Sequence, residues 1–251
     1  KTAISLYHVL EEKGREPQYD GYVESFTENW EKLEQYDNNA PKTMNAHLHV
    51  LEAYTLLYQC WKDNGLKKRL EFCVDLFMNR IYDPSRKHFN LFFDNEWNSL
   101  VEMDSYGHDV ETGWLLCEAA RTLENQDLIE QTNQLALDVT EACLAEGMSD
   151  KGYMIYEKKG DRKTKHASWW GQIETVIACV NAWQISGSDV YLQSVDTVWT
   201  FVKDHMVDKE YGEWYSDCFD GEPKKEAPKV SMWRCPYHTV RLGVEMYNRL
   251  K

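Results

Sequence analysis

The feature that most constrains this 251-residue chain is a coarse repeat. His49, His108, Trp170 and His238 each stand near the front of an apolar helical stretch, at intervals of 59, 62 and 68 residues. Each of the first three is followed by a second stretch that is apolar on one face only. The period is therefore a helical hairpin, with an inner, nearly all-apolar helix and an outer, half-polar one. A run of such hairpins forms an array whose inner helices bring their front ends to one mouth. Apolar periodicity places helices near 2–13, 43–63, 66–81, 106–123, 127–146, 168–185, 189–206 and 236–250. Those from 43, 106, 168 and 236 read as inner, the other four as outer. "DNG" at 63–65, "EGM" at 146–148 and "SGSD" at 186–189 supply stops. Aromatic stretches at 86–94, 152–160 and 212–221 read as β-hairpin insertions. No linker or low-complexity run divides the chain, so residues 1–251 read as a single domain.

Charge and cysteines narrow the partners. A net charge of -14 argues against nucleic acid and anionic membrane surfaces, both of which need Lys/Arg patches. No apolar run approaches the ~20 residues that span a bilayer, and no signal peptide opens the chain. Seven scattered cysteines without a C-x-x-C pair read as reduced thiols of a cytoplasmic protein. Ten Trp and fifteen Tyr suit a sugar-handling cleft, because pyranose rings present apolar C–H faces; they suit a Trp-rich helical core equally well.

The helix fronts carry the chemistry. In "MNAHLHVLEAY", Asn45 and His49 are four apart on one face, while His47 points elsewhere. In "SYGHDVETGWLL", His108 and Glu111 are three apart, Asp109 lies between them, and Trp114 continues the stripe. In "SWWGQIETV", Trp170 and Glu174 are four apart; in "WRCPYHTVRL", Pro236 suits a helix start, with His238, Arg241 and the preceding Trp233 close by. Taken singly, each has a plain reading as a satisfied core residue or a first-turn acid. The three histidines with Glu111 could also hold a divalent ion, yet no compact ligand pair lies on the right faces, so no metal is assigned. Recurrence in successive hairpins favours catalysis.

These four motifs, in order, resemble the cellobiose 2-epimerase branch of the N-acylglucosamine 2-epimerase superfamily, over about residues 1 to 250. The resemblance implies an all-α fold, an (α/α)6 toroid or barrel. Six hairpins make such a barrel and about four are present here. The chain is thus expected to be the C-terminal two-thirds, with two hairpins upstream. Relatives carry an enediolate-stabilising arginine on those hairpins, so the chain alone is expected to be inactive. Gly113 stands where relatives more often carry Ser, Thr or Ala, and is expected to widen the pocket locally.

The implied reaction inverts C2 at the reducing end of a β-1,4-linked disaccharide, cellobiose to glucosyl-mannose. The hemiacetal opens, C2 loses a proton to give a cis-enediolate, and the other face is reprotonated. That needs two groups of near-neutral pKa on opposite faces, which histidine supplies. By resemblance, His108 and His238 are the acid/base pair. Glu111 and Glu174 would hydrogen-bond them and fix their tautomers. His49 would assist ring opening or hold the C1 or C2 oxygen, with Asn45 beside it. Trp170 and Trp233 would stack on the sugar, with Asp109, Trp114 and Arg241 as further binding residues. No cofactor is required. The readings left open are an aldose–ketose isomerase or N-acylglucosamine 2-epimerase of the same superfamily, an (α/α)6 glycoside hydrolase using Glu111 and Glu174, and an inactive sugar-binding fragment.

Overall fold

The computed structural model describes residues 1–33 and 35–251. Helices dominate, with strands of two or three residues between them. In chain order they are α1 (Thr2–Val9), β1 (Lys42–Thr43), α2 (Met44–Cys60), α3 (Asn64–Leu76), β2 (Tyr82–Asp83), β3 (His88–Phe89), β4 (Phe92–Phe93), β5 (Met103–Asp104), α4 (Tyr106–Thr122), α5 (Gln126–Gly147), β6 (Lys158–Lys159), β7 (Arg162–Lys163), β8 (His166–Ser168), α6 (Trp169–Ser186), α7 (Val190–Phe201), β9 (Asp217–Phe219), β10 (Glu222–Pro223) and α8 (Tyr237–Arg249). All eight expected helices are present. Three of them, α1, α3 and α7, finish in a π-helical turn, at Leu10–Gly14, Phe77–Ile81 and Val202–Met206. The chain divides into two compact units: residues 1–103 with 115–132, and residues 104–114 with 133–251.

In the first unit, α2 packs on α3. Thr43 caps α2 by accepting from the Ala46 N–H, and Asp63 caps α3 by accepting from Gly65 and Leu66. Leu66, Leu70, Cys73 and Val74 of α3 are buried at helical spacing, as the outer-helix pattern requires. The inner-helix expectation holds only partly for α2. Met44, His47, Leu48, Leu51 and Tyr54 are buried, while Asn45, His49 and Leu56 are exposed. His47 is a strut: its Nε2 accepts the Tyr22 N–H at 2.8 Å and its Nδ1 lies 2.6 Å from the Thr43 carbonyl. A carbonyl can only accept, so Nδ1 carries the proton. Burial, against that bond, pushes this imidazole down to about 4. The stretch at 86–94 is extended as expected, but as two separate strands: β3 pairs with β2, and β4 pairs with β1.

In the second unit, α6 is the inner helix the sequence announces, buried at every residue from Gly171 to Ala182. It packs on α7 and α8. Ser168 caps its start, accepting from Gly171, and Gly187 ends it at φ 71° with its N–H on the Trp183 carbonyl. That left-handed residue is why "SGSD" stops the helix. The other two insertions also shift from their expected bounds. β6 lies at the end of the expected 152–160 and pairs with β7 just beyond it, and β9 joins β10 on one side and β8 on the other. On α8, Arg241 and Leu242 are buried and Val240, Val244 and Tyr247 are exposed. Pro236 is the residue before the helix rather than its first turn.

Candidate active site

Within the second unit the starts of α4, α6 and α8 come together. Gly107 and Gly171 make this possible. A Cβ at 107 would lie 2.7 Å from the Trp170 ring and 3.2 Å from the Gly171 Cα, so the two helices approach without side chains between them. The Trp170 indole consequently lies against two imidazoles. His108 is 4.6 Å away between centroids, and His238 is stacked at 5.7 Å and 30°. Sequence spacing put these histidines on different hairpins; the fold brings both onto one tryptophan.

Behind His238 stands a buried charge cluster. Glu174, wholly buried, accepts from His238 Nδ1 at 2.7 Å and from Arg241 Nη1 at 3.0 Å through Oε1, and from Trp114 Nε1 at 2.9 Å through Oε2. Arg241 Nη1 also donates to Glu111 at 2.5 Å. A carboxylate on Nδ1 leaves Nε2 as the end of the His238 ring free for other chemistry. Glu111, Glu174 and His238 offer ligand atoms within 4.8 Å of one another, a spacing a divalent ion could use. The Arg241 guanidinium already stands between the two carboxylates and takes the oxygens that a cation would use, so the donor set does not fit a cation.

The expected binding residues have varied surroundings. Arg241 is buried among Glu111, Glu174 and the Tyr237 ring, 4.3 Å from its centroid, and joins the two carboxylates. Trp114 is buried with its N–H spent on Glu174. Asp109 is fully buried, where the Cys143 thiol reaches it at 3.9 Å. Trp170 stacks on His238, and Trp233 is 85% exposed at the tip of the turn closed by Ser231 and Arg234. Gly113 does not widen a pocket; a Cβ there would meet Ala136 Cα on α5 at 3.4 Å, an ordinary contact distance. Asn45 and His49 belong to the first unit, where His49 Nδ1 lies 3.2 Å from Glu52.

Four residues near the imidazoles escaped the sequence reading. Ser105, buried, bonds His108 Nδ1 at 2.8 Å. Tyr156 meets the edge of Trp170 at 6.0 Å and packs on His166 at 4.7 Å. His166 bonds Asp217 at 2.5 Å across the β8–β9 ladder. Burial works against the Asp217 charge, but the hydrogen bonds from His166 and Ser216 hold its carboxyl below the usual range. Only Ser105, three before His108, carried a local signal; the other three meet through strand pairing. Gln172 of "WWGQIE" proves structural, its amide accepting from the Met154 N–H and donating to the Met154 carbonyl.

Fold and site together define a helical-hairpin protein with two imidazoles set on one tryptophan. The profile of the N-acylglucosamine 2-epimerase (GlcNAc 2-epimerase) family matches residues 1–241, and the chain belongs to that family. It is 38% identical over 254 residues to the cellobiose 2-epimerase of Bacteroides fragilis, covering 97% of this chain and 64% of that protein. To the cellobiose 2-epimerase of Dictyoglomus turgidum it is 35% identical, covering 99% of this chain and 64% of that protein. The solved cellobiose 2-epimerase of Bacillus thermoamylovorans superposes with a TM-score of 0.93 at 34% identity, over 98% of this chain and 64% of that one. A D-mannose isomerase structure shares the fold at a TM-score of 0.80 and 18% identity. The fold class is thus all-α, the (α/α)6 hairpin type with short strand insertions. The chain spans just under two-thirds of the length of the relatives it matches.

Proposed function

We propose that the complete gene product is a carbohydrate 2-epimerase that inverts C2 at the reducing end of a β-1,4-linked disaccharide, converting cellobiose to glucosyl-mannose. One observation carries the reading: His108 and His238 come from different helices yet lie against the same indole. In the proposed reaction the sugar opens to its aldehyde, which acidifies the C2 proton. One imidazole removes that proton and the other delivers one to the opposite face of the cis-enediolate; their roles exchange in the reverse direction. Glu174 orients His238, and Arg241 keeps Glu111 and Glu174 in place. His49, with Asn45, assists ring opening, and the exposed Trp233 is free to stack on a sugar. Imidazoles supply all the proton chemistry, so the mechanism calls for no metal or organic cofactor. We take this chain to contribute about four of the six hairpins of the family barrel, within a single domain. Scattered thiols support a cytoplasmic location, and the protein's acidity argues against nucleic-acid or membrane partners. No helix among the described residues is long and apolar enough to cross a membrane.

The test is incubation of the complete gene product with cellobiose in deuterated water. Glucosyl-mannose bearing deuterium at C2 is expected, and His108→Ala or His238→Ala should each lower turnover at least ~100-fold. A keto sugar as the main product would mark an aldose–ketose isomerase. Binding without conversion would mark a sugar-binding protein.

A further inference from the structure

The two imidazoles share a tryptophan, but the groups behind them differ in kind. His238 has a carboxylate on Nδ1, Glu174 at 2.7 Å. His108 has a hydroxyl there, Ser105 Oγ at 2.8 Å. Ser105 is buried and immediately precedes α4, the position where a serine hydroxyl ordinarily accepts the backbone N–H two or three residues on. Here it meets the imidazole of the residue three on. Either group can accept an N–H from Nδ1 and leave Nε2 as the nitrogen that exchanges a proton, but the carboxylate does so with a full charge and the hydroxyl without one.

We infer that Ser105 is the positioning residue of His108. Its hydroxyl holds the ring against Trp170 with Nε2 turned away from Ser105. When His108 acts as an acid, the imidazolium gives its Nε2 proton to C2 of the enediolate and keeps its Nδ1 proton, donated to Ser105 Oγ. When it acts as a base, Nε2 takes the C2 proton and the electron pair of that C–H bond passes into the enediolate. The ring need not turn in either direction. This rests on the epimerase reading proposed above.

The experiment uses the complete gene product in deuterated water, with cellobiose and glucosyl-mannose supplied separately. Inversion needs both histidines, whereas exchange without inversion needs only the one that faces the C2 hydrogen of the sugar supplied. Ser105→Ala should lower inversion on the order of 10-fold from either sugar. With the epimer that presents its hydrogen to His238, deuterium should still enter unconverted sugar at close to the wild-type rate. The ratio of exchange to inversion therefore rises on the order of 10-fold for that epimer and stays put for the other. A purely structural role for Ser105 lowers exchange and inversion together. Should Ser105→Ala fail to fold, Ser105→Gly removes the hydroxyl but keeps a residue tolerated at a helix N-cap, and should show the same asymmetry. Wild-type ratios for both sugars, or a parallel loss of exchange and inversion, overturn the inference. A wild-type protein that converts neither sugar overturns the epimerase reading, and the inference with it, at a control containing no variant.

Discussion

Glu174 accepts the Nδ1 proton of His238 at 2.7 Å while its other oxygen accepts the Trp114 indole N–H at 2.9 Å. Both carboxylate oxygens are committed, and the residue is wholly buried. Glutamine has one acceptor where glutamate has two, so in Glu174→Gln an amide N–H must face either the indole or the His238 and Arg241 donors. Leaving a buried donor unmatched costs about 1–3 kcal/mol. We expect a lowered Tm together with at least a ~10-fold loss of epimerase turnover. A variant matching wild type in both would show that the carboxylate orients nothing.

Arg241 holds Glu111 and Glu174 at 2.5 and 3.0 Å from one nitrogen. Arg241→Met removes the cation between two buried carboxylates, for which removal of a buried ion partner suggests about 3–5 kcal/mol of destabilisation. Adding Glu111→Gln to that variant should recover part of the loss, because one stranded charge disappears. Urea midpoints of the two single variants and the double variant measure this; strictly additive losses would count against the cluster.

The glycines of "SYGHD" and "ETGW" differ in what surrounds them. A Cβ at 107 would fall 2.7 Å from the Trp170 ring and 3.2 Å from the Gly171 backbone, whereas at 113 it meets Ala136 at an ordinary 3.4 Å. Gly107→Ala should cost about 1–3 kcal/mol by overpacking and move Trp170 off the imidazoles, with turnover falling accordingly. Gly113→Ala should be tolerated within about 1 kcal/mol, since alanine favours the helix. Equal thermal shifts for the two variants would contradict the packing described.

His47 makes the first unit sensitive to acid. In the folded chain its imidazole stays neutral down to about pH 4, whereas an unfolded histidine takes up a proton near its ordinary value of 6.5. Between those values the unfolded state binds the extra proton, so stability falls as pH drops from about 6.5 toward 4. The full effect is roughly 3 kcal/mol. His47→Gln should lose that component: its urea midpoint should fall less steeply between pH 7 and 4.5 than that of wild type. Parallel profiles would mean that His47 is solvated or already charged.

The helices were legible because each one's burial pattern is written locally. Gly171 to Ala182 is apolar or small at every position but Gln172, Glu174 and Asn181, and every residue of it is buried. Leu66, Leu70, Cys73 and Val74 mark a half-polar helix, and Gly187 a left-handed stop. The short strands were legible only as aromatic stretches. Two-residue ladders such as Tyr82–Asp83 with His88–Phe89 are too short to show an alternating pattern, and take their register from the turn that joins them. Within the site, the motif residues could be picked out along the chain, but their surroundings could not. Spacing put Arg241, Trp114 and Asp109 near a helix front, but spacing does not distinguish a side chain that faces a cavity from one that faces a neighbouring helix.

What the sequence determined by itself was the period: which stretches are helices, and that histidines and glutamates recur at the starts of several of them. Those properties depend on residues three and four apart, and helix geometry makes such residues neighbours whatever the rest of the chain does. Tertiary structure alone decided that Arg241 joins Glu111 and Glu174, that Trp170 carries both His108 and His238, and that His166 meets Asp217. These partners stand fifty or more residues apart in sequence, Glu111 and Arg241 by 130, and they meet only where packed backbones, Gly107 on Gly171 among them, bring separate helices and strands within a few ångströms.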